Sequence, residues 1–327
     1  MKPNLFTHRN KRNLLTLAAT AGLAVGLALG PAATGFALPA PAASTVTTVI
    51  GQGRYNGDNR PATSAALSLP FGQSIVDIAG HLPGGVALDR QGNLYISDRN
   101  NHRIRKVTPG PDGSLRSGMI TTIAGTGSSG FSGDGGPATA AALNAPAGLA
   151  FGPDGSLYVS DSLNRRVRRI APDGTISTVA GTGLDRVSGN GGPANRASIR
   201  EPAGIAVAGD GTLYIADRPA NQIRKVAPNG TISVFAGRAT GGGNIGEGER
   251  AVDAVLDGPT GVALLPSGEV VFTDRNNQRV KLVDTAGNLF TIAGSGRTGD
   301  GQSATDTRYG EFEPGFTPSL RDNCSGL

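Results

Sequence analysis

The sequence predicts an all-β fold: a β-propeller of four-stranded antiparallel blades, four of them complete and a fifth partial. Three observations carry this. A glycine-rich phrase recurs five times, as GDNRPATSAAL (57–67), GDGGPATAAAL (133–143), GNGGPANRASI (189–199), GEGERAVDAVL (246–256) and GDGQSATDTRY (299–309). Runs of strand-forming residues separated by tight-turn signals fill the segments between copies, so one supersecondary unit is repeated. With 51 Gly, 21 Pro, no Trp and 5% aromatics, the composition suits short strands and many turns better than a helical bundle.

The elements follow in chain order. Lys2, Arg9, Lys11 and Arg12 precede an uncharged stretch from Leu14 to Gly30 and then small residues and prolines, the layout of a secretory signal. Residues 1–42 are therefore expected to be a signal peptide and leader, 43–309 the propeller and 310–327 an irregular tail. Without the first 40 residues the chain holds 26 basic and 25 acidic side chains, so its high pI gives no support to nucleic-acid binding. The single Cys324 can form no internal disulfide.

Each unit opens with a small apolar run (GGVALD, AGLAFG, AGIAVA, TGVALL), strand a. Strands b and c align as LYISDRNNHRIRKV, LYVSDSLNRRVRRI, LYIADRPANQIRKV and VVFTDRNNQRVKLV; strand d reads ITTIAG, ISTVAG, ISVFAG or LFTIAG. Gly92, Gly155, Gly211 and Gly268 between a and b, and Gly113, Gly174, Gly230 and Gly287 between c and d, stand where a hairpin needs a positive φ. Sheets of this kind, repeated at this period, pack face to face about an axis. STVTTVIGQG (44–53) reads as a lone d strand, and PFGQSIVDIAG (70–80) contains another d-like string; these supply the partial fifth blade.

The string Pro-x-Gly-hydrophobic-Ala, Gly-x-Leu-Tyr-(Ile/Val)-x-Asp and Asn-x-Arg-(Ile/Val)-Arg resembles the NHL repeat, and the GDGGPA loops are similar to those of bacterial exported and teneurin-type NHL repeats. The resemblance covers about residues 45 to 305. It implies a propeller fold, commonly of about six blades, and leaves activity open.

Four repeated aspartates, Asp98, Asp161, Asp217 and Asp274, end the b strands and are expected to be structural acceptors of backbone hydrogen bonds in the b–c loop. Arg105, Arg168, Arg224 and Lys281 share one repeat column and are expected to brace neighbouring blades. His102 replaces Arg165, Asn221 and Gln278 in its column and reads as a solvated loop residue. In the GDGG phrase, Asp is expected to cap a short helical turn, with Ala138 and Leu143 plugging the gap between sheets. No His/Cys/carboxylate cluster has ligand-like spacing, so no metal, cofactor or catalytic residue is assigned.

In a four-strand meander the b–c turns and d–a connections leave from one side and the a–b and c–d hairpins from the other. The first side carries the long charged loops and is the expected binding face, with Arg99, His102, Arg165, Arg218, Arg275, Asp134, Arg186 and Glu247 as its candidates. The expectation is an exported or envelope-associated, non-enzymatic module that recognises a protein or cell-envelope polymer. It is expected not to bind nucleic acid, and to meet the membrane only if the signal stays uncleaved. The alternative is a lyase or lactone hydrolase with its site at the central channel.

Overall fold

The computed structural model describes residues 57–69, 85–239 and 242–294. After a two-residue strand β1 (Arg60–Pro61), sixteen strands form four meanders. Blade 1 comprises β2 (Val86–Leu88), β3 (Leu94–Asp98), β4 (Arg103–Thr108) and β5 (Met119–Ala124); blade 2 comprises β6 (Pro146–Phe151), β7 (Leu157–Asp161), β8 (Arg166–Ile170) and β9 (Ile176–Ala180). Blade 3 holds β10 (Pro202–Val207), β11 (Leu213–Asp217), β12 (Gln222–Val226) and β13 (Ile232–Ala236), and blade 4 holds β14 (Pro259–Leu264), β15 (Val270–Asp274), β16 (Arg279–Val283) and β17 (Leu289–Ala293). Strands pair antiparallel in chain order within each blade. The segments expected to supply the partial fifth blade, 44–53 and 70–80, and the fifth copy of the glycine-rich phrase, 299–309, lie outside the described residues.

The hairpins form as the sequence requires. All eight predicted turn glycines adopt φ between +74° and +90°. Each b–c turn instead ends on a side chain in the left-handed region: His102, Arg165, Asn221 and Gln278, at φ between +52° and +55°. An L residue there carries a cost of about 1–2 kcal/mol, offset by the hydrogen bonds described below.

The inner strands β2, β6, β10 and β14 run one after another, and glycine sets how closely they approach. A Cβ on Gly148 would lie 2.3 Å from the Ala203 carbonyl oxygen, and one on Gly204 2.4 Å from that of Thr260. Gly85 donates its N–H to the Ala147 carbonyl at 3.0 Å. Outside this row the gaps between blades fill with aliphatic side chains. Val167, Ile199, Ile205, Leu213, Ile215 and Ile232 form one such cluster between blades 2 and 3, each contributing about 1.5–3 kcal/mol on burial.

The glycine-rich phrase protects the outermost strand of the following blade. Gly135 and Ala138 donate to the carbonyls of Ile176 and Gly174 at 2.8 and 2.9 Å, and Ile176 donates back to Gly136 at 3.0 Å. The same contacts recur at Gly191 and Ala194 and at Gly248 and Ala251, and in blade 1 they lengthen into β1 pairing with β5. A short, twisted edge pairing blunts a strand that would otherwise expose unpaired backbone. Ala138, Ala141 and Leu143 then turn inward, buried to 1% exposure or less, and plug the gap as expected. The connector therefore runs from the b–c side to the c–d hairpin at Gly174, so the d–a connections belong to both sides of the blade.

Candidate interaction face and the polar network beneath it

Each blade holds a buried polar network assembled from three separate stretches of chain. In blade 2, Asp161 at the end of β7 accepts from the backbone N–H of Asn144 at 2.7 Å, from Asn164 Nδ2 at 2.8 Å and from Arg168 Nη1 at 3.3 Å. Arg168, wholly buried, uses its other nitrogen on Asp134 Oδ1 at 2.7 Å, and Asp134 also accepts from the Thr178 hydroxyl at 2.7 Å. Blade 1 repeats this with Asp98, Arg105, Asp58 and Thr122. Blade 4 repeats the outer part with Lys281, Glu247 and Thr291.

Two sequence expectations need correction here. The repeated aspartates accept backbone hydrogen bonds from the residue just after the glycine-rich phrase (Ser68, Asn144, Arg200 or Asp257) rather than from the b–c loop backbone. Where the b–c loop reaches the carboxylate, it does so through an asparagine side chain, as with Asn101, Asn164 and Asn277. The Asp of the glycine-rich phrase caps no helical turn: Pro137 occupies that position without a side-chain bond, while Asp134 is drawn away to the buried arginine. A buried guanidinium needs a counter-charge more than a three-residue turn needs a cap.

Burial pushes Asp161 and Asp217 up to about 6 and raises Asp274, outweighing their donors. At Glu247 burial is outweighed: the N–H and hydroxyl of Thr291, together with the Lys281 ammonium, hold its carboxyl low.

Blade 3 departs from the pattern at three places. Ala220 stands where the other blades have asparagine, Asn190 where they have an acid, and Val234 where they have threonine. Arg224 keeps a 2.6 Å bond to Asn190, but its Nη1 lies 3.7 Å from Asp217 Oδ2, which accepts no hydrogen bond from the described residues.

The predicted face residues divide into two groups. Asp134 and Glu247 belong to the network. Arg99 is buried, at 4% exposure, and Arg218 pairs with Glu201 at 2.6 Å with both side chains largely covered. His102 is no solvated loop residue: its Nδ1 accepts the Ala145 N–H at 3.1 Å and so ties blade 1 to the start of β6. Asn221 does the same through Oδ1 to Gly258 N–H at 2.9 Å. Burial first, then the Arg99 and Arg103 charges, lower the His102 pKa.

Arg165, Arg186 and Arg275 reach the surface. Arg165 meets Asp185 at 3.2 Å, and Arg200, not anticipated from the sequence, meets the same carboxylate at 3.1 Å. Leu163 and Leu184 are 48% and 49% exposed beside them in the chain.

Sequence reasoning also missed concavities on the hairpin side. A groove of about 430 Å³ between blades 1 and 2 is lined by Asp89, Arg90, Tyr95, Phe151, Asp154 and Pro172. One of about 500 Å³ between blades 2 and 3 includes Tyr158, Pro193, Asn195, Leu213 and Pro228. The repeated tyrosine of strand b was the available signal: Tyr95 packs edge-on against Phe151 of the next blade at 4.9 Å. Its hydroxyl donates to Asp89 at 3.1 Å, and burial followed by the Asp89 charge pushes its pKa up to about 12. Among the described residues no group of three or more His, Cys, Asp and Glu side chains is placed to hold a metal ion.

Residues 59–171 and 180–242 match the teneurin NHL domain, and residues 256–281 match the NHL repeat. Teneurin-1 of Mus musculus is 32% identical over 247 residues, 66% of this chain and 9% of the relative. Teneurin-3 of Danio rerio is 28% identical over 226 residues, 62% and 8% of the two chains. A solved structure of catalytically inactive virginiamycin B lyase from Staphylococcus aureus with quinupristin aligns at a TM-score of 0.42 and 16% identity, covering 63% of this chain and 54% of that one. The chain spans less than a tenth of the curated relatives cited here. With a buried Asp and a buried Arg or Lys repeated blade by blade, and more than half its length matched, the chain belongs to the teneurin NHL domain family.

Proposed function

We propose that this chain is an exported, non-enzymatic recognition module, binding a protein or cell-envelope polymer on the side formed by its b–c turns and the adjoining ends of its connectors. The observation that carries this is the contrast between two layers of the same loops. Beneath the surface every blade repeats a buried Asp with a buried Arg or Lys; above it the b–c turns, RNNH, SLNR, RPAN and RNNQ, have no residue common to all four and differ in each at the last position. A rigid support with variable tips suits binding. The carboxylates that a hydrolytic site would draw on, Asp98, Asp134, Asp161 and Glu247, are committed to the buried cations.

The full-length chain, tagged at its C-terminus, tests the proposal in a pull-down from envelope fractions. Capture of a protein or polymer that is lost on charge reversal at Arg165 and Arg275 supports the face. Capture unaffected by those changes removes it, and turnover in a lactonase and lyase panel with a stoichiometric bound ion would replace binding by catalysis. A second reading rests on the hairpin-side grooves, whose Tyr95 and Phe151 offer aromatic surface; capture lost only on Arg90→Glu would favour it.

A further inference from the structure

Connectors between blades are clipped to the b–c turn of the following blade at one repeated point. Asn164 Nδ2 donates to the Gly130 carbonyl at 2.6 Å, and Asn277 Nδ2 to that of Gly243 at 2.6 Å. Both carbonyls lie three residues before the first glycine of the phrase. The corresponding pair between blades 2 and 3 is Ala220 and Arg186, and alanine has no amide to donate.

In place of that clip, this connector carries an exposed charge cluster. Asp185, on its crest, bridges Arg165 of the blade 2 turn and Arg200 at the entrance to blade 3, at 3.2 and 3.1 Å. The three side chains are 52%, 35% and 40% exposed. Ion pairs so open to water are worth about 0–1 kcal/mol each, so another carboxylate competes for these arginines on nearly equal terms.

Charge and apolar surface at the same seam define what would compete. Arg218 is already matched by Glu201, which leaves Arg165, Arg186 and Arg200 with the single acid Asp185. Arg186 is exposed, and the one hydrogen bond of its side chain among the described residues is a long one, 3.5 Å from Nε to Ser198 Oγ. Leu163 on the blade 2 turn and Leu184 next to Asp185 are each about half exposed. A polymer of phosphates or sugars would answer the arginines and leave the leucines in water. A polypeptide carrying both carboxylates and aliphatic side chains answers both, with each covered leucine adding apolar burial.

We propose that the seam between blades 2 and 3 on the b–c side docks an acidic polypeptide segment with interspersed aliphatic residues. Arg165, Arg186 and Arg200 receive its carboxylates, and Leu163 and Leu184 its apolar side chains. This rests on the reading of that side as the binding face.

Fluorescence anisotropy of the full-length chain tests it with two labelled peptides of equal length, one repeating Glu-Leu-Glu and one of glutamate alone, and with inorganic polyphosphate as competitor. The mixed peptide is expected to bind more tightly than polyglutamate. Arg165→Asn with Arg200→Glu should weaken it at least tenfold; asparagine already occupies the Arg165 column at Asn221, so the turn is preserved. Leu163→Ser with Leu184→Ser should weaken the mixed peptide and leave polyglutamate unchanged, while Arg275→Glu on blade 4 changes neither.

No binding of the mixed peptide, or equal binding by the seam variants and the wild type, overturns the proposal. So does polyphosphate displacement accompanied by indifference to the leucine changes, which would mark a site for polyanions. In the envelope pull-down, capture lost on Arg275→Glu but kept by the seam variants removes the seam and leaves the face; capture lost only on Arg90→Glu removes both.

Discussion

Blade 3 is the one described blade whose signature carboxylate lacks an asparagine donor, and giving it one should stabilise the whole domain. In Ala220→Asn the new amide is placed as Asn164 and Asn277 are, which donate to Asp161 and Asp274 at 2.8 and 2.7 Å and to a connector carbonyl at 2.6 Å. Its first bond would reach Asp217 Oδ2, now without a hydrogen-bond donor among the described residues; its second would reach the Arg186 carbonyl. A hydrogen bond to a charged group contributes about 1.5–3 kcal/mol and a neutral one about 0.5–1.5. Ordering the added side chain costs roughly 1 kcal/mol.

A net gain of about 1–3.5 kcal/mol follows, which in a domain of this size moves Tm up by roughly 2–14 °C. The reciprocal change, Asn164→Ala, removes the same two bonds from blade 2 and should lower Tm by a similar amount. Scanning calorimetry and urea unfolding on both variants provide the measurement. If Ala220→Asn leaves Tm unchanged or lowers it while Asn164→Ala is destabilising, blade 3 is not under-bonded and the assignment of its defect is wrong; if Asn164→Ala is neutral, the clip itself carries no energy.

Three further outcomes follow from the same contacts. Asp161 titrates near 6 when folded and near 4 when unfolded, so its contribution to stability is full below about 4 and is lost as pH rises through 6; Asp161→Asn should flatten the unfolding free energy over that window by up to about 2–3 kcal/mol relative to wild type. Gly148→Ala drives a Cβ to 2.3 Å from the Ala203 carbonyl and should be among the most destabilising substitutions in the inner row, whereas Gly261→Ala meets only Thr273 Oγ1 at 3.2 Å and should cost much less, by urea midpoint. His102→Asn keeps an acceptor for the Ala145 N–H and a residue suited to a positive φ, so it should remain near wild type while His102→Ala loses about 1 kcal/mol; because the folded imidazole pKa lies below its ordinary value, the wild-type contribution is lost as pH falls below about 6.5, a dependence His102→Asn should lack.

The blades were legible because their signals are local and repeated. A Gly at the hairpin position and an apolar alternation on either side of it fix a strand pair whatever surrounds them, and four copies remove the ambiguity of one. What the Arg column pairs with was not legible. Arg168 finds Asp134, 34 residues earlier and in the connector from the previous blade, and no spacing rule within a unit links the two. The same holds for His102, whose partner Ala145 lies 43 residues onward in the next blade. Contacts between repeats are set by how blades stack, and that is a property of side-chain volume and inner-row glycine rather than of the motif. The hairpin-side grooves were missed for a related reason: a hairpin that is tight in itself still leaves a hollow where it meets the next one.

The network also dictates where recognition can evolve at low cost. Lys281 is 1% exposed, and its ion-pair partner is Glu247 on the loop above; deleting that acid leaves the buried ammonium to the Thr291 hydroxyl and the charge of Asp274, and costs stability. Asp134 above Arg168 is bound by the same constraint. Two or three residues along, the constraint vanishes: Arg165 and Ile245 are neighbours of network positions in sequence yet hold up nothing buried, and Ile245 is 65% exposed. Adjacent residues of one loop thus answer to different requirements, one to the interior charge and the next to whatever the surface meets. Binding specificity on such a scaffold is expected to change through the second kind, by substitutions that leave Tm where it was, and a scan of paired substitutions at Arg165 and Asp134 that found equal losses of stability at both would show that the two layers are not separate.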